Sequence, residues 1–342
     1  MGRIERGLNL PSAVVIYKLT QALNVRADLL FAPDLARART DAADTDRLFV
    51  AMDSQPAIPP KNLLSVCNEI MTAFHALEDI CRAQKHARLP LILPFEPDYN
   101  GMEQLAYQVR KYFDTGDAVI FDYFELFENY GFRIIVFPFQ RTAADMDSIS
   151  FYEPAFHNAF FFLNSRKNSE KQLFSLALEL GKILIANQMR IKKTALFHES
   201  SDTGSDKRPI NSHRAARRFA ATFLMPKDAV QTTVGQLGIA PDQWSWELLL
   251  RIKHRFGVST ESFLYRLDEL KLITGQLTKQ FQEQIKIHYS ENNYSEPDSS
   301  RRCLTPNGRF FDLLLAARGI PSACQEVDEI EKVVLEKKVI NI

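Results

Sequence analysis

Apolar residues recur at helical spacing in two stretches of the first quarter of the chain. Residues 1–33 predict short helices, the first of them carrying Val14, Val15, Tyr17, Leu19 and Leu23. Residues 61–88 predict one long helix with a seam in which apolar positions alternate at spacings of four and three. That seam consists of Leu63, Cys67, Ile70, Phe74, Leu77 and Cys81. The polar, proline-containing residues 34–60 between them predict a linker.

The seam over residues 61–88 has two interpretations. Two and a half heptads fall short of the roughly three to four that indicate a coiled coil. One interpretation is a helix packed on its own domain, and the other is a helix that forms a dimer through the six seam residues. A homodimer or a heterodimer with a homologue would follow from the second.

Three short apolar runs predict strands at residues 133–138, 148–152 and 158–163. The third is almost wholly apolar and predicts a buried strand. Helical patterns surround them at residues 102–112, 119–130, 170–186, 213–225, 241–254 and 259–271. The tail adds a polar linker at 289–308 and helices at 310–318 and 322–338, the last interpreted as solvated. The pattern therefore predicts an α+β, helix-dominated fold.

Composition narrows the function classes. The 42 basic and 42 acidic residues balance to a formal net charge of zero, which excludes a protein that coats nucleic acid by charge alone. No apolar run reaches the roughly 18 residues of a membrane span, and the first residues have no apolar signal segment. The four scattered cysteines predict reduced thiols. We therefore expect a cytoplasmic protein.

The first 33 residues resemble the second half of an XRE (Cro/C1-type) helix-turn-helix domain. The residues that carry the resemblance are Arg3-Ile-Glu-Arg-Gly7, Pro11-Ser12 and the helical run that follows. It implies DNA as a partner, with Arg3 and Arg6 contacting phosphates; solvated surface charges are the alternative. The base-reading part of the recognition helix would precede Met1, so either the native start lies upstream or DNA reading has been lost.

Residues 102–226 resemble the ImmA/IrrE metallopeptidase-like family. The most specific element is Arg218-Phe-Ala-Ala-Thr-Phe-Leu-Met-Pro226, and Arg255-Phe-Gly-Val-Ser259 matches the end of the same domain. The resemblance implies a zincin-like domain with a small mixed sheet. The expected organisation is a partial helix-turn-helix at 1–33, a linker at 34–60, a heptad helix at 61–88, a peptidase-like domain at 98–275, and a linker with helices at 276–342.

The zinc motif of that family is degenerate in this sequence. A zincin places two histidines four residues apart on one helix, with a glutamate after the first as general base. Glu179 stands at the glutamate position, but the resemblance places Leu178, Lys182 and Ala215 at the three ligand positions. It therefore implies a pseudopeptidase with no metal, no cofactor and no catalytic residue. Lys182 either pairs with Glu179 or extends to solvent.

The sequence leaves several alternatives open. A metal site rebuilt from His157, His198, Glu199 and His213 is one, against scattered surface histidines. Strand 158–163 either binds an extended peptide by β-addition or lies paired at the centre of its sheet. The leading expectation is a non-catalytic transcriptional regulator whose former peptidase cleft binds a ligand or partner. The alternatives are a metallopeptidase with non-standard ligands that cleaves a repressor, and an antagonist that binds a homologue without binding DNA.

Overall fold

The computed structural model describes residues 59–90, 95, 98–153, 157–195, 212–300 and 306–339, with the side chains of 189–195 and 212 excepted. The predicted helix-turn-helix segment and nearly all of the predicted linker lie outside the described residues. The proposed DNA contacts Arg3 and Arg6 do so as well. The structure therefore bears on the chain from the heptad helix onward.

The described residues include eleven α-helices and one three-stranded sheet. The strands are β1 (Arg133–Phe137), β2 (Ser148–Glu153) and β3 (Asn158–Asn164). The helices are α1 (Lys61–Ile80), α2 (Tyr99–Tyr112), α3 (Tyr123–Asn129), α4 (Ser169–Ala195), α5 (Ser212–Leu224), α6 (Lys227–Gln236), α7 (Trp246–Phe256), α8 (Thr260–Glu269), α9 (Gly275–Glu291), α10 (Gly308–Arg318) and α11 (Cys324–Glu336). Among these described helices, none has the length and apolarity that a bilayer crossing requires.

The sheet is mixed, as predicted, with strand order β1-β3-β2. β3 runs parallel to β1, with Arg133 opposite Phe160, and antiparallel to β2, with Ser148 opposite Leu163. The central strand therefore has hydrogen-bonded neighbours on both sides. The hypothesis that β3 accepts an extended peptide is wrong, because its backbone groups already serve the two ladders.

Alternating side chains of the sheet enter two separate apolar cores. Ile134, Val136, Phe161 and Leu163 pack in a core with α2–α9. Ile135, Phe137, Phe160 and Phe162 pack on the opposite face with α1, α10 and α11. The α+β fold is therefore layered, with helices on both faces of the sheet.

The heptad seam of α1 lies inside this second core. Leu63, Cys67, Ile70, Phe74 and Leu77 are 0% exposed, and Cys81 is half-buried. The Phe74 ring packs edge-on against Phe160 and Phe310, with centroids 5.7 and 5.2 Å apart. The structure thus corresponds to the helix packed on its own domain. The five fully buried seam residues pack in the core of their own chain and are therefore not exposed for pairing with a second copy.

The C-terminal residues are integrated into the fold, in contrast to the predicted linker and solvated helix. Buried Glu296 accepts hydrogen bonds from Lys253 Nζ (3.0 Å) and Thr260 Oγ1 (2.6 Å). Buried Asn307 bonds the backbone of Val136 in β1. α11 buries Val327, Ile330 and Val334 in the second core. Its charged residues cover only the outer face, so the charge pattern concealed an amphipathic helix.

Candidate functional site

A cavity of about 580 Å³ opens beside β2, between α4, α5 and the start of α8. α4 contributes Ser175, Leu178 and Lys182 to its wall, and α5 contributes His213 and Arg217. These side chains include Leu178 and Lys182, two of the positions that the resemblance aligns with the zinc motif. The cavity therefore occupies the place where the resemblance puts the peptidase cleft.

Close packing of α4 against α5 positions the four residues of the motif. Gly181 permits the approach, because a Cβ there would lie 2.8 Å from Cδ1 of Phe219 on α5. Ala215 is completely buried in the same core. Leu178 and Lys182 line the cavity, whereas Glu179 lies buried behind its wall.

Glu179 is fully engaged by hydrogen bonds from two elements. Its Oε1 accepts from Ser148 Oγ at 2.6 Å and from Lys182 Nζ at 2.8 Å, and its Oε2 accepts from Ser150 Oγ at 2.6 Å. Both serines face α4 because alternate residues of a strand point the same way. The sequence analysis missed these two serines, although their spacing of two within a predicted strand was a signal that they share a face.

Lys182 pairs with Glu179, which is one of the two alternatives that the sequence left open for it. Its side chain is 3% exposed and that of Glu179 is 1% exposed, so the ammonium does not extend to solvent. Burial of the two opposite charges is tolerated because they pair with each other through Glu179 Oε1, while Ser150 donates a hydrogen bond to the other carboxylate oxygen. The motif is thus a neutral, hydrogen-bonded cluster.

The two described histidines of the alternative metal site, His157 and His213, do not come together. His213 lines the cavity, and its pKa is lowered by burial and by the charges of Lys182 and Arg217, against an opposing effect of Glu179. His157 precedes β3 at the end remote from Ser148, about 20 Å away along the strand direction. His198 and Glu199 lie outside the described residues. Within the part of the chain that is described, no group of three or more His, Cys, Asp or Glu side chains could hold a metal ion.

Buried and half-buried arginines hold the helices around the cavity in place. Arg110 on α2 donates to the carbonyl of Phe223 on α5 at 2.6 Å. Arg218 pairs with Glu269 and stacks its guanidinium 3.6 Å from the ring centroid of Tyr99. The pKa of Glu269 is lowered, because the Arg218 and Tyr99 hydrogen bonds outweigh its burial. These residues therefore stabilise the packing of α2, α5 and α8.

Comparison with known families identifies the part of the chain that contains this cavity. Residues 127–268 match the family model of the IrrE N-terminal-like domain, peptidase family M78. No curated protein matches the chain. The IrrE-like region covers about two-fifths of the sequence. It runs from the end of α3 to α8, and it includes the sheet, α4, α5 and the positions Leu178, Glu179, Lys182 and Ala215.

Proposed function

We propose that this chain is a non-catalytic regulator whose IrrE-like domain keeps the cleft of a peptidase but not its zinc chemistry. The observation that carries the proposal is the saturated carboxylate of Glu179. A general base must accept a proton from water within hydrogen-bonding reach. Glu179 is 0% exposed and accepts three hydrogen bonds from the protein itself, so it is poorly placed to activate water.

The donor chemistry at the cavity also fits zinc poorly. Leu178 and Ala215 carry no ligand atom, and the ammonium of Lys182 repels a dication. Zinc in proteins is held by Cys, His, Asp or Glu. Only Glu179 among the four motif positions belongs to that set, and Lys182 already neutralises it. We therefore derive no catalytic step through a metal at this site.

Metal analysis tests the non-catalytic part of the proposal. The purified chain is dialysed against buffer with trace zinc, its metal content is measured, and peptide hydrolysis is assayed before and after chelation. We expect substoichiometric zinc and no chelator-sensitive hydrolysis. Stoichiometric zinc whose removal abolishes hydrolysis would instead support a metallopeptidase with non-standard ligands.

Transcriptional control is the regulatory role we propose for the whole chain, by analogy with regulators that join the two kinds of domain. The resemblance of residues 1–33 to a helix-turn-helix and the six basic against three acidic residues among the first 40 support it. Arg3 and Arg6 are the proposed phosphate contacts.

DNA capture tests this role. Sheared genomic DNA is incubated with the full chain at low and near-physiological salt, and the retained fragments are sequenced. Discrete sites retained at the higher salt are expected, because binding by charge alone weakens steeply with salt. Diffuse or salt-sensitive retention would contradict sequence reading by this chain alone and would direct attention to a protein partner.

A further inference from the structure

We propose that the cavity binds the carboxylate of a small ligand between Lys182, His213 and Arg217. The inference deepens the proposed non-catalytic function, since it assigns a ligand class to the same cleft. A carboxylate would accept hydrogen bonds at the wall where α4 and α5 meet. The rest of the ligand would occupy the remaining volume.

The buried ammonium of Lys182 is the first argument. An ammonium group carries three N–H donors. Among the described residues, Lys182 Nζ has one hydrogen-bond acceptor, Glu179 Oε1, and the same side chain lines the cavity. Its two further donors are therefore available to a group that enters the cavity. A charged oxygen ligand is the acceptor that suits them best.

The placement of His213 and Arg217 is the second argument. They are four residues apart on α5 and so lie on one face of the helix, and both line the cavity with Lys182. The charged groups that act most on His213 are Lys182 and Arg217, opposed by Glu179. Because Glu179 is already neutralised by Lys182, Arg217 gives this wall a further positive charge.

The remaining wall limits the kind of anion. Asp147 is paired with Lys167 at 3.2 Å, and Glu170 lies 3.7 Å from Lys253. Asp145 and Glu261 add negative charge to the lining. That charge disfavours a polyanion such as a nucleotide triphosphate or a nucleic acid backbone, and it favours a monoanion that also carries hydrogen-bond donors.

Apolar side chains in the cavity favour a ligand whose body is also apolar. Met146, Phe174 and Leu178 line the same cavity, whose volume of about 580 Å³ lies within the usual range of roughly 300–1,000 Å³ for small-molecule sites. A free amino-acid derivative and the C-terminal residue of a peptide both combine a carboxylate with such a body. They share the recognised chemistry and differ in what extends beyond it.

Calorimetric titration of the full chain tests the inference with two matched pairs of probes. One pair is N-acetyl-leucine and N-acetyl-leucinamide, and the other is an N-acetylated tetrapeptide ending in leucine, as free acid and as amide. We expect each acid that binds to bind at least about tenfold more tightly than its amide, the size of effect a charge-assisted hydrogen bond gives. A tighter peptide acid would identify a peptide C-terminus as the ligand, and equal affinities would identify a free acid.

Two variants locate the binding. Arg217→Gln changes an exposed residue and is expected to reduce the preference for acid over amide to about threefold or less. Arg214→Gln is the matched control, because Arg214 is also exposed on α5 but does not line the cavity. The double variant Lys182→Met, Glu179→Gln removes the buried charge pair together, and it is expected to abolish the preference.

Equal binding of acids and amides, no binding of either, or a preference unaffected by Arg217→Gln would overturn the inference. Zinc content measured on the same sample separates the two proposals. A zinc-free chain that binds no acid contradicts only the carboxylate site. A chain with stoichiometric zinc contradicts the proposed non-catalytic function as well.

Discussion

At the scale of single residues, the buried pair of Lys182 and Glu179 makes the unfolding free energy sensitive to the loss of either charge. Lys182→Met leaves the carboxylate of Glu179 buried without its counterion. Such uncompensated burial costs about 3–5 kcal/mol of unfolding free energy. Urea unfolding followed by circular dichroism measures it.

The matched control is the double variant Lys182→Met, Glu179→Gln, which removes both charges. The amide still has Ser148 and Ser150 as hydrogen-bonding neighbours, so we expect most of the lost stability to return. A single variant as stable as the parent would contradict the internal pair.

Two glutamates near Arg309, the buried Glu78 and the half-buried Glu128, have pKa values that are shifted in opposite directions. Burial alone would raise the pKa of Glu78, but hydrogen bonds from His75, Arg133 and Arg309 outweigh it and hold the pKa at about 2. Stability from Glu78 is therefore complete above its ordinary pKa of 4.5 and is lost as the pH falls toward 2. Burial instead raises the pKa of Glu128 to about 7, with Asp312 adding to the rise and Arg309 opposing it.

Glu128 therefore predicts a loss of stability on the alkaline side. Its contribution is complete below pH 4.5 and is lost as the pH rises through 7, because the folded state then holds a buried carboxylate. Glu128→Gln should raise the unfolding free energy at pH 8 by about 1–3 kcal/mol and leave it nearly unchanged at pH 4. Glu125→Gln, an exposed change one turn earlier on α3, should alter neither. Thermal unfolding at both pH values gives the comparison, and a gain at pH 4 equal to that at pH 8 would contradict it.

At the scale of elements, the contact of α4 with α5 depends on Gly181. Replacing glycine by alanine inside a helix ordinarily stabilises it by about 1 kcal/mol. At Gly181 the added Cβ would lie 2.8 Å from the Phe219 ring and 3.4 Å from the Cα of Ala216. We expect Gly181→Ala to lower the unfolding free energy by about 1–3 kcal/mol through overpacking.

Gly235 provides the matched control for that prediction. It lies in α6 with nothing within 4 Å of the added Cβ, so Gly235→Ala should be neutral or stabilising by up to about 1 kcal/mol. Chemical denaturation of both variants compares them. Equal effects of the two substitutions would show that the close approach of α4 and α5 does not constrain the position.

Helices and strands with a strong pattern of apolar residues were predicted from the sequence, whereas helices with a weak pattern were missed. The three strands were predicted to within one residue at each end, because apolar β-branched and aromatic runs are distinctive. α6 was missed, since its threonines and Gly235 form helix poorly. α9 was missed because only Thr278, Phe281 and Ile285 of its 17 residues are buried.

Contacts in the site could be predicted from the sequence only where both residues lie on the same helix. Glu179 and Lys182 lie one turn apart on α4, so sequence spacing sufficed to propose their pairing. Ser148 and Ser150 reach Glu179 from β2, some 30 residues away in sequence, and only the packing of α4 on the sheet brings them together. Arg217 and His213 line the cavity with Lys182 because α5 packs on α4.

The seam of α1 supports a prediction about assembly. Phe74 fills the core between the sheet and α10, so Phe74→Ala should cost about 3–5 kcal/mol of unfolding free energy. Its molar mass in solution should stay that of the parent, because Phe74 is buried within its own chain and is not exposed for pairing with a second copy. Denaturation and light scattering measure the two quantities. A change of oligomeric state with unchanged stability would revive the dimer hypothesis.

At the scale of the whole molecule, the second core is built from parts of the chain that flank the IrrE-like region. α1 precedes that region, whereas α10 and α11 follow it, and the three helices meet on one face of the sheet. Polar contacts also join these flanking parts to each other and to the sheet. Arg309 donates a hydrogen bond to Glu78 of α1 at 3.2 Å, and Asn307 accepts one from the backbone of Val136 in β1. The family-like region therefore exposes an apolar sheet face unless both flanks are present.

Because α10 and α11 cover an apolar face of the sheet, we predict that they are required for folding. A chain ending at Ser300 would expose the ring faces of Phe74, Phe160 and Phe162, so we expect it to lose cooperative thermal unfolding and to aggregate. Leu314→Asp tests the same layer in the intact chain: it buries an unpaired charge at a position that is 0% exposed, and it should cost about 3–5 kcal/mol. Leu315→Asp, the adjacent exposed position on α10, should change the unfolding free energy by less than about 0.5 kcal/mol. A shortened chain that unfolds cooperatively at the parent's temperature would show that the IrrE-like region is stable without this layer.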